Sequence, residues 1–104
     1  MKRFNRIAAG IALALVLGSA SAGNDYDYCL LCHGANANGN YGIRAPKISG
    51  MEPWYLATQL ANYQAGLRGA DERDTYGAQM RAIVATLPDE KAITDVVAYI
   101  NTLK

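Results

Sequence analysis

The chain is poor in the residues that build metal clusters and disulfide frameworks: its 104 residues include one histidine and two cysteines. A zinc site built on the cysteine pair needs two further Cys or His ligands, and the chain does not supply both. Long apolar runs are also missing. The best of them, Ile7 to Leu17, is well short of the roughly 20 residues a membrane-spanning helix requires. There is no basic excess either: the formal net charge is +1, and beyond Lys2, Arg3 and Arg6 at the N-terminus no Lys/Arg cluster occurs. That leaves nucleic-acid binding, which rests on neutralising phosphates, without support. No stretch alternates apolar and polar residues as a half-buried strand does, and no segment repeats. At this length the chain is one domain with one core.

What is present begins with a leader. Lys2, Arg3 and Arg6 precede the short apolar run, and Ala20-Ser21-Ala22 follows it with the small residues of a cleavage site. Residues 1–22 therefore read as a secretory signal peptide, and residues 23–104 as the mature domain, placed in the bacterial periplasm and not inserted in the membrane. Without the leader, seven basic side chains face nine acidic ones, a charge of −2 and too mild to name a partner. A domain this small has a marginal apolar core unless something else fills its interior.

Both cysteines and the histidine lie together, as Cys29-Leu30-Leu31-Cys32-His33. This is the attachment pattern of a c-type haem. Two thiols on one helical turn can each form a thioether with a haem vinyl group, and the adjacent imidazole then lies under the iron. The competing readings are a thioredoxin-like redox pair, half of a zinc site and a simple disulfide. The first expects flanking strands and the second further ligands, and the chain shows neither. One motif implies one haem.

The rest of the mature chain reads as helices and loops. Asn24 caps a short first helix with Asp25 and Asp27 in its first turn, and Gly34 ends it. Gly34 to Gly42 is dense in Asn and Gly and predicts a turn-rich loop; Pro46 makes Arg44 to Gly50 an extended strap. Pro53 opens a second helix whose buried stripe is Leu56, Leu60, Tyr63 and Leu67. A third contains Met80, Ile83, Val84 and Leu87. The last begins near Pro88 and Asp89, and Ile93, Val96, Val97, Ile100 and Leu103 follow at helical spacing. The fold class is all-α.

With these segments placed, the chain resembles a class I cytochrome c, most of all the single domains of the cytochrome c4 and c553 kind. The resemblance rests on Cys29 to Gly34, then Ala45-Pro46-Lys47-Ile48-Ser49-Gly50, Trp54 to Leu60, Gly66-Leu67-Arg68, Tyr76 to Met80 and Ala98-Tyr99-Ile100. It implies helices wrapped around one covalently bound haem c, attached at Cys29 and Cys32, with His33 as proximal iron ligand and a methionine opposite. Met80 is the expected ligand, because Met51 follows the strap that in this family passes on the proximal side, far from the other iron face. The resemblance also implies that the Pro46 carbonyl accepts the other ring proton of His33. Trp54, Tyr55, Arg44 and Lys47 are further residues that could face haem propionates. Only six residues precede Cys29 in the mature chain, so the helix crossing that the family makes near Tyr99 is expected to be smaller or differently made. The implied function is a soluble electron carrier, not an enzyme, working between redox partner proteins. The alternatives are a haem subunit of a larger enzyme, such as a flavin dehydrogenase or terminal oxidase, and a peroxidase-like or gas-binding haem protein.

Overall fold

The computed structural model describes residues 21–103. All but the last two residues of the expected leader lie outside them. Four helices follow one another: α1 (Ser21–His33), α2 (Pro53–Gln64), α3 (Thr75–Val84) and α4 (Glu90–Asn101). Among the described residues there is no strand, only an isolated antiparallel bridge between Asn40 and Ala45. The all-α expectation holds.

Helix boundaries follow local chemistry. Pro53 occupies the first turn of α2, where its missing N–H is no loss. Asp74 and Asp89 cap α3 and α4, their carboxylates accepting from Gly77 N and Ala92 N, both at 2.8 Å. Both caps satisfy donors that the first helical turn leaves open. Helix α1 ends at Gly34, whose φ of +89° is the left-handed geometry of a helix stop, with its N–H bonded to Leu30 O at 2.9 Å.

The core forms where α4 turns Ile93, Val96, Val97 and Ile100 inward. Helix α1 packs on α4, and α2 packs on both α4 and α3. The crossing of α1 and α4 is built on two aromatic rings. Tyr26, 1% exposed, stacks at 5.2 Å on Tyr99 and donates its hydroxyl to Gly34 O at 2.7 Å. The short N-terminus thus still makes the crossing, through a tyrosine within the motif helix itself.

Three expectations need correction. Asn24 lies inside α1, which begins at Ser21, so it is not the cap. Leu67 is 78% exposed because α2 has already ended at Gln64. The chain reverses there through Gly66 at φ +75°, with Leu67 N on Asn62 O at 2.9 Å. Leu87 is buried, but beyond the end of α3, in a turn closed by its N–H on Val84 O. A single 3-10 turn, Tyr41–Ile43, interrupts the loop after α1; Asn40 caps it by accepting from Gly42 N.

Candidate functional site

Between α1 on one side and α2 with α3 on the other lies a cleft of about 770 Å³, within the size range of pockets that take a whole cofactor. Its walls are mainly apolar, with Ile48, Leu56, Leu60, Val84, Leu87 and Ile100 among the lining residues. Cys29, Cys32 and His33 all open onto it from the last turn of α1. Both thiols are free. Burial, followed by the nearby Asp25 and Cys32, pushes the Cys29 thiol up to about 11, and a backbone hydrogen bond only partly offsets this. Cys32 is the more exposed of the pair.

His33 is 5% exposed, and its Nδ1 lies 2.8 Å from Pro46 O. A carbonyl only accepts, so Nδ1 carries the proton and Nε2 keeps its lone pair. Nε2 has no protein partner among the described residues and is the atom left for a metal.

The strap carrying Pro46 is built to hold that carbonyl in place. Ile48 N and Ser49 N both donate to Ala37 O, at 2.9 and 3.0 Å, and Ser49 Oγ donates to Asn38 at 3.2 Å. Gly39 donates its N–H to His33 O at 2.8 Å and lies directly against the strap. A Cβ there would stand 2.6 Å from Lys47 N and 2.7 Å from Ala45 O. Loop, strap and helix end therefore form one unit around the imidazole.

Both candidate methionines line the cleft, half-buried against the core. Met51 thus lies along the same cleft as Met80, where the sequence expectation set it apart. They reach it differently. Met51 follows the strap, its N–H 3.4 Å from Ile48 O, whereas Met80 projects from α3. Of the other residues considered, Arg44 and Tyr55 border the cleft, while Lys47 and the largely exposed Trp54 do not.

The cleft's charges are two of each sign, Asp25 and Asp74 against Arg44 and Arg68. Arg68 lies over the ring of Tyr63 at 4.8 Å and donates to Gln59 Oε1 at 2.8 Å. Burial raises the pKa of the Tyr63 phenol; Arg68 opposes the rise and Asp74 adds to it.

Sequence reasoning missed Gly39 and Tyr26, and it treated Tyr63 as plain core. A Gly in an Asn/Gly-rich loop gives no sign of which backbone it must approach. The signal for Tyr26 was available: it lies one helical turn before Cys29, on the helix expected to meet Tyr99.

The cleft fits the group its motif implies. Two free thiols one turn apart, a buried imidazole with one unpaired nitrogen and an apolar interior are the donor set of a covalently held haem. The family model described as Cytochrome c matches residues 20–104. A cytochrome c4 from Azotobacter vinelandii is 35% identical over 75 residues, covering 72% of this chain and 34% of the relative. The chain thus spans about a third of the length of that curated relative. No helix among the described residues is long and apolar enough to cross a membrane.

Proposed function

We propose, because this chain belongs to the cytochrome c family, that it carries single electrons on one covalently bound haem c, between redox partner proteins of the bacterial periplasm. When bound, the haem supplies the one-electron ferric/ferrous couple. The chain's residues supply the rest. Cys29 and Cys32 tether the ring through thioethers, His33 Nε2 is the proximal ligand and Met80 the distal one. The mature domain is residues 23–104, after an export leader of residues 1–22. The observation that carries the reading is the Nδ1 bond of His33 to Pro46 O at 2.8 Å, which leaves Nε2 free on a cleft that also holds both thiols. Such a bond fixes the ring's orientation and raises its basicity as a ligand.

Met80 is favoured over Met51 by the route each takes. Met51 lies five residues beyond Pro46, just after the strap that serves the imidazole, whereas Met80 reaches the cleft from α3, a separate element packed on α2. A thioether sulfur opposite an imidazole raises the reduction potential and closes the sixth position. A closed position favours electron exchange over chemistry on a bound substrate, and so a carrier over a catalyst.

Paired substitutions test this. Met80→Ala should lower the reduction potential, abolish the weak long-wavelength charge-transfer band of a methionine-ligated ferric haem and admit carbon monoxide to the ferrous protein. Met51→Ala should do none of these, and the exported protein should begin near Gly23 by N-terminal sequencing. Rapid carbon monoxide binding by the unmodified protein would instead support the gas-binding or peroxidase-like alternative.

A further inference from the structure

Four side chains with a hydrogen-bonding group are buried in the described fold outside the thiols: Tyr26, His33, Ser49 and Tyr63. Three are paired within the protein, Tyr26 to Gly34 O, His33 to Pro46 O and Ser49 to Asn38. Tyr63 is the exception. It is 7% exposed, lines the cleft, and its hydroxyl has no partner among the described residues. A buried hydroxyl without a partner is costly, so the group that occupies the cleft is the natural source of one.

The surroundings of Tyr63 say what kind of atom that is. The Arg68 guanidinium lies 4.8 Å over its ring, and Gln59 holds that guanidinium at 2.8 Å. Arg68 and Gln59 themselves border the cleft. A phenol donor beside a guanidinium is a site for a carboxylate. The protein's own nearby carboxylate, Asp74, is already engaged as the α3 cap, accepting from Gly77 N at 2.8 Å. On the haem ring the two propionates lie away from the vinyl groups. Tyr63 and Arg68 both line the cleft that would hold the haem, so a propionate is the carboxylate that could reach them there.

We propose that the Tyr63 hydroxyl, with Arg68 beside it, hydrogen-bonds one haem propionate and so raises the reduction potential by drawing that carboxylate's charge away from the iron. The proposal rests on the reading of the cleft as the haem site. No hydrogen bond joins the Tyr63 hydroxyl to Met80 among the described residues, although both side chains line the cleft.

The test uses the haem-loaded full protein. Tyr63→Phe, which removes only the hydroxyl, should retain one covalent haem and an unchanged charge-transfer band while lowering the midpoint potential. It should also displace the propionate-bending band in resonance Raman spectra. Arg68→Gln should lower the potential too. The double variant should fall by less than the two effects combined, because both act on one carboxylate. In the unmodified protein the same Raman band should shift on transfer to deuterium oxide, a readout that needs no variant. An unchanged potential with an unmoved Raman band overturns the proposal. So does a displaced charge-transfer band in Tyr63→Phe, which would assign the hydroxyl to the axial sulfur. Absence of a haemochrome from the unmodified protein would overturn the site reading itself, and it is seen before any variant is compared.

Discussion

Gly39→Ala is the substitution that most directly tests whether the strap controls the histidine. Gly39 has φ +87°, and an added Cβ would meet Lys47 N at 2.6 Å, Ala45 O at 2.7 Å and the Pro46 carbonyl carbon at 2.7 Å. Unstrained contacts of this kind are about 3.5 Å or more, so the strap must withdraw by roughly 1 Å. The His33–Pro46 bond starts at 2.8 Å, and that movement takes it beyond hydrogen-bonding distance. Forcing the extra carbon in costs about 1–3 kcal/mol, the left-handed backbone about 1, and an unpaired buried N–H about 1–3. The sum is about 5 kcal/mol against a total stability of about 5–15 for a domain. At about 4–8 °C per kcal/mol, the haem-loaded protein should melt about 20–40 °C lower by circular dichroism. The control is Gly34→Ala. Its φ is nearly the same, +89°, but nothing lies within 4 Å of the added carbon. Only the backbone strain of about 1 kcal/mol applies there, a shift of about 4–8 °C. Equal melting points for the two variants would refute the argument, since they share the dihedral and differ only in the strap.

Two further outcomes follow from the core. Burial, then the neighbouring Cys29 and Tyr99, pushes the Tyr26 phenol up to about 12 from its ordinary 10, so the unfolded chain loses this proton first. The stabilisation is complete below pH 10 and is lost as pH rises through 12; Tyr26→Phe should flatten that alkaline decline in urea midpoints, and at neutral pH cost about 1–2 kcal/mol for the lost bond to Gly34 O. Replacing both Cys29 and Cys32 by Ala should leave a chain that holds no covalent haem and shows no cooperative thermal transition. A sharply melting, fully helical apoprotein would contradict the view that the haem completes the core.

The sequence carried the chemistry of the site more clearly than its architecture. Cys29, Cys32 and His33 are legible because covalent attachment demands a fixed spacing on one helical turn, and α2 and α4 because their apolar residues recur at helical spacing beside Pro53 and Asp89. Leu67 fits that spacing equally well and is nonetheless exposed, because periodicity continues past Gln64 while the helix does not. Gly66, adjacent to it, was the stop signal. The start of α1 was misplaced because an Asn followed by two Asp reads as a cap whether or not helix precedes it. Gly39 and the hydroxyl of Tyr63 were illegible for a common reason. The role of each depends on a segment remote in sequence, the strap in one case and the cofactor cleft in the other.

The two sides of the cleft differ in how firmly the chain holds them, and this bears on the ligand assignment. His33 is constrained at several atoms at once. Its carbonyl accepts from Gly39 N, its ring donates to Pro46 O, and the helix ending just after it is fastened by Tyr26 on Gly34 O and packed through Tyr26 on Tyr99. These anchors come from the loop, the strap, α1 and α4, and none of them depends on Met80. The imidazole is therefore oriented by protein contacts that do not involve Met80, an arrangement that would suit a proximal ligand exchanging electrons at little reorganisation cost. Met80 has no comparable set of hydrogen bonds, since a thioether is at best a weak acceptor, and its position depends on the packing of α3 on α2. Substitution at Met80 should accordingly leave a protein in which His33 still holds the haem. This makes carbon monoxide binding by that variant a measure of the distal side alone.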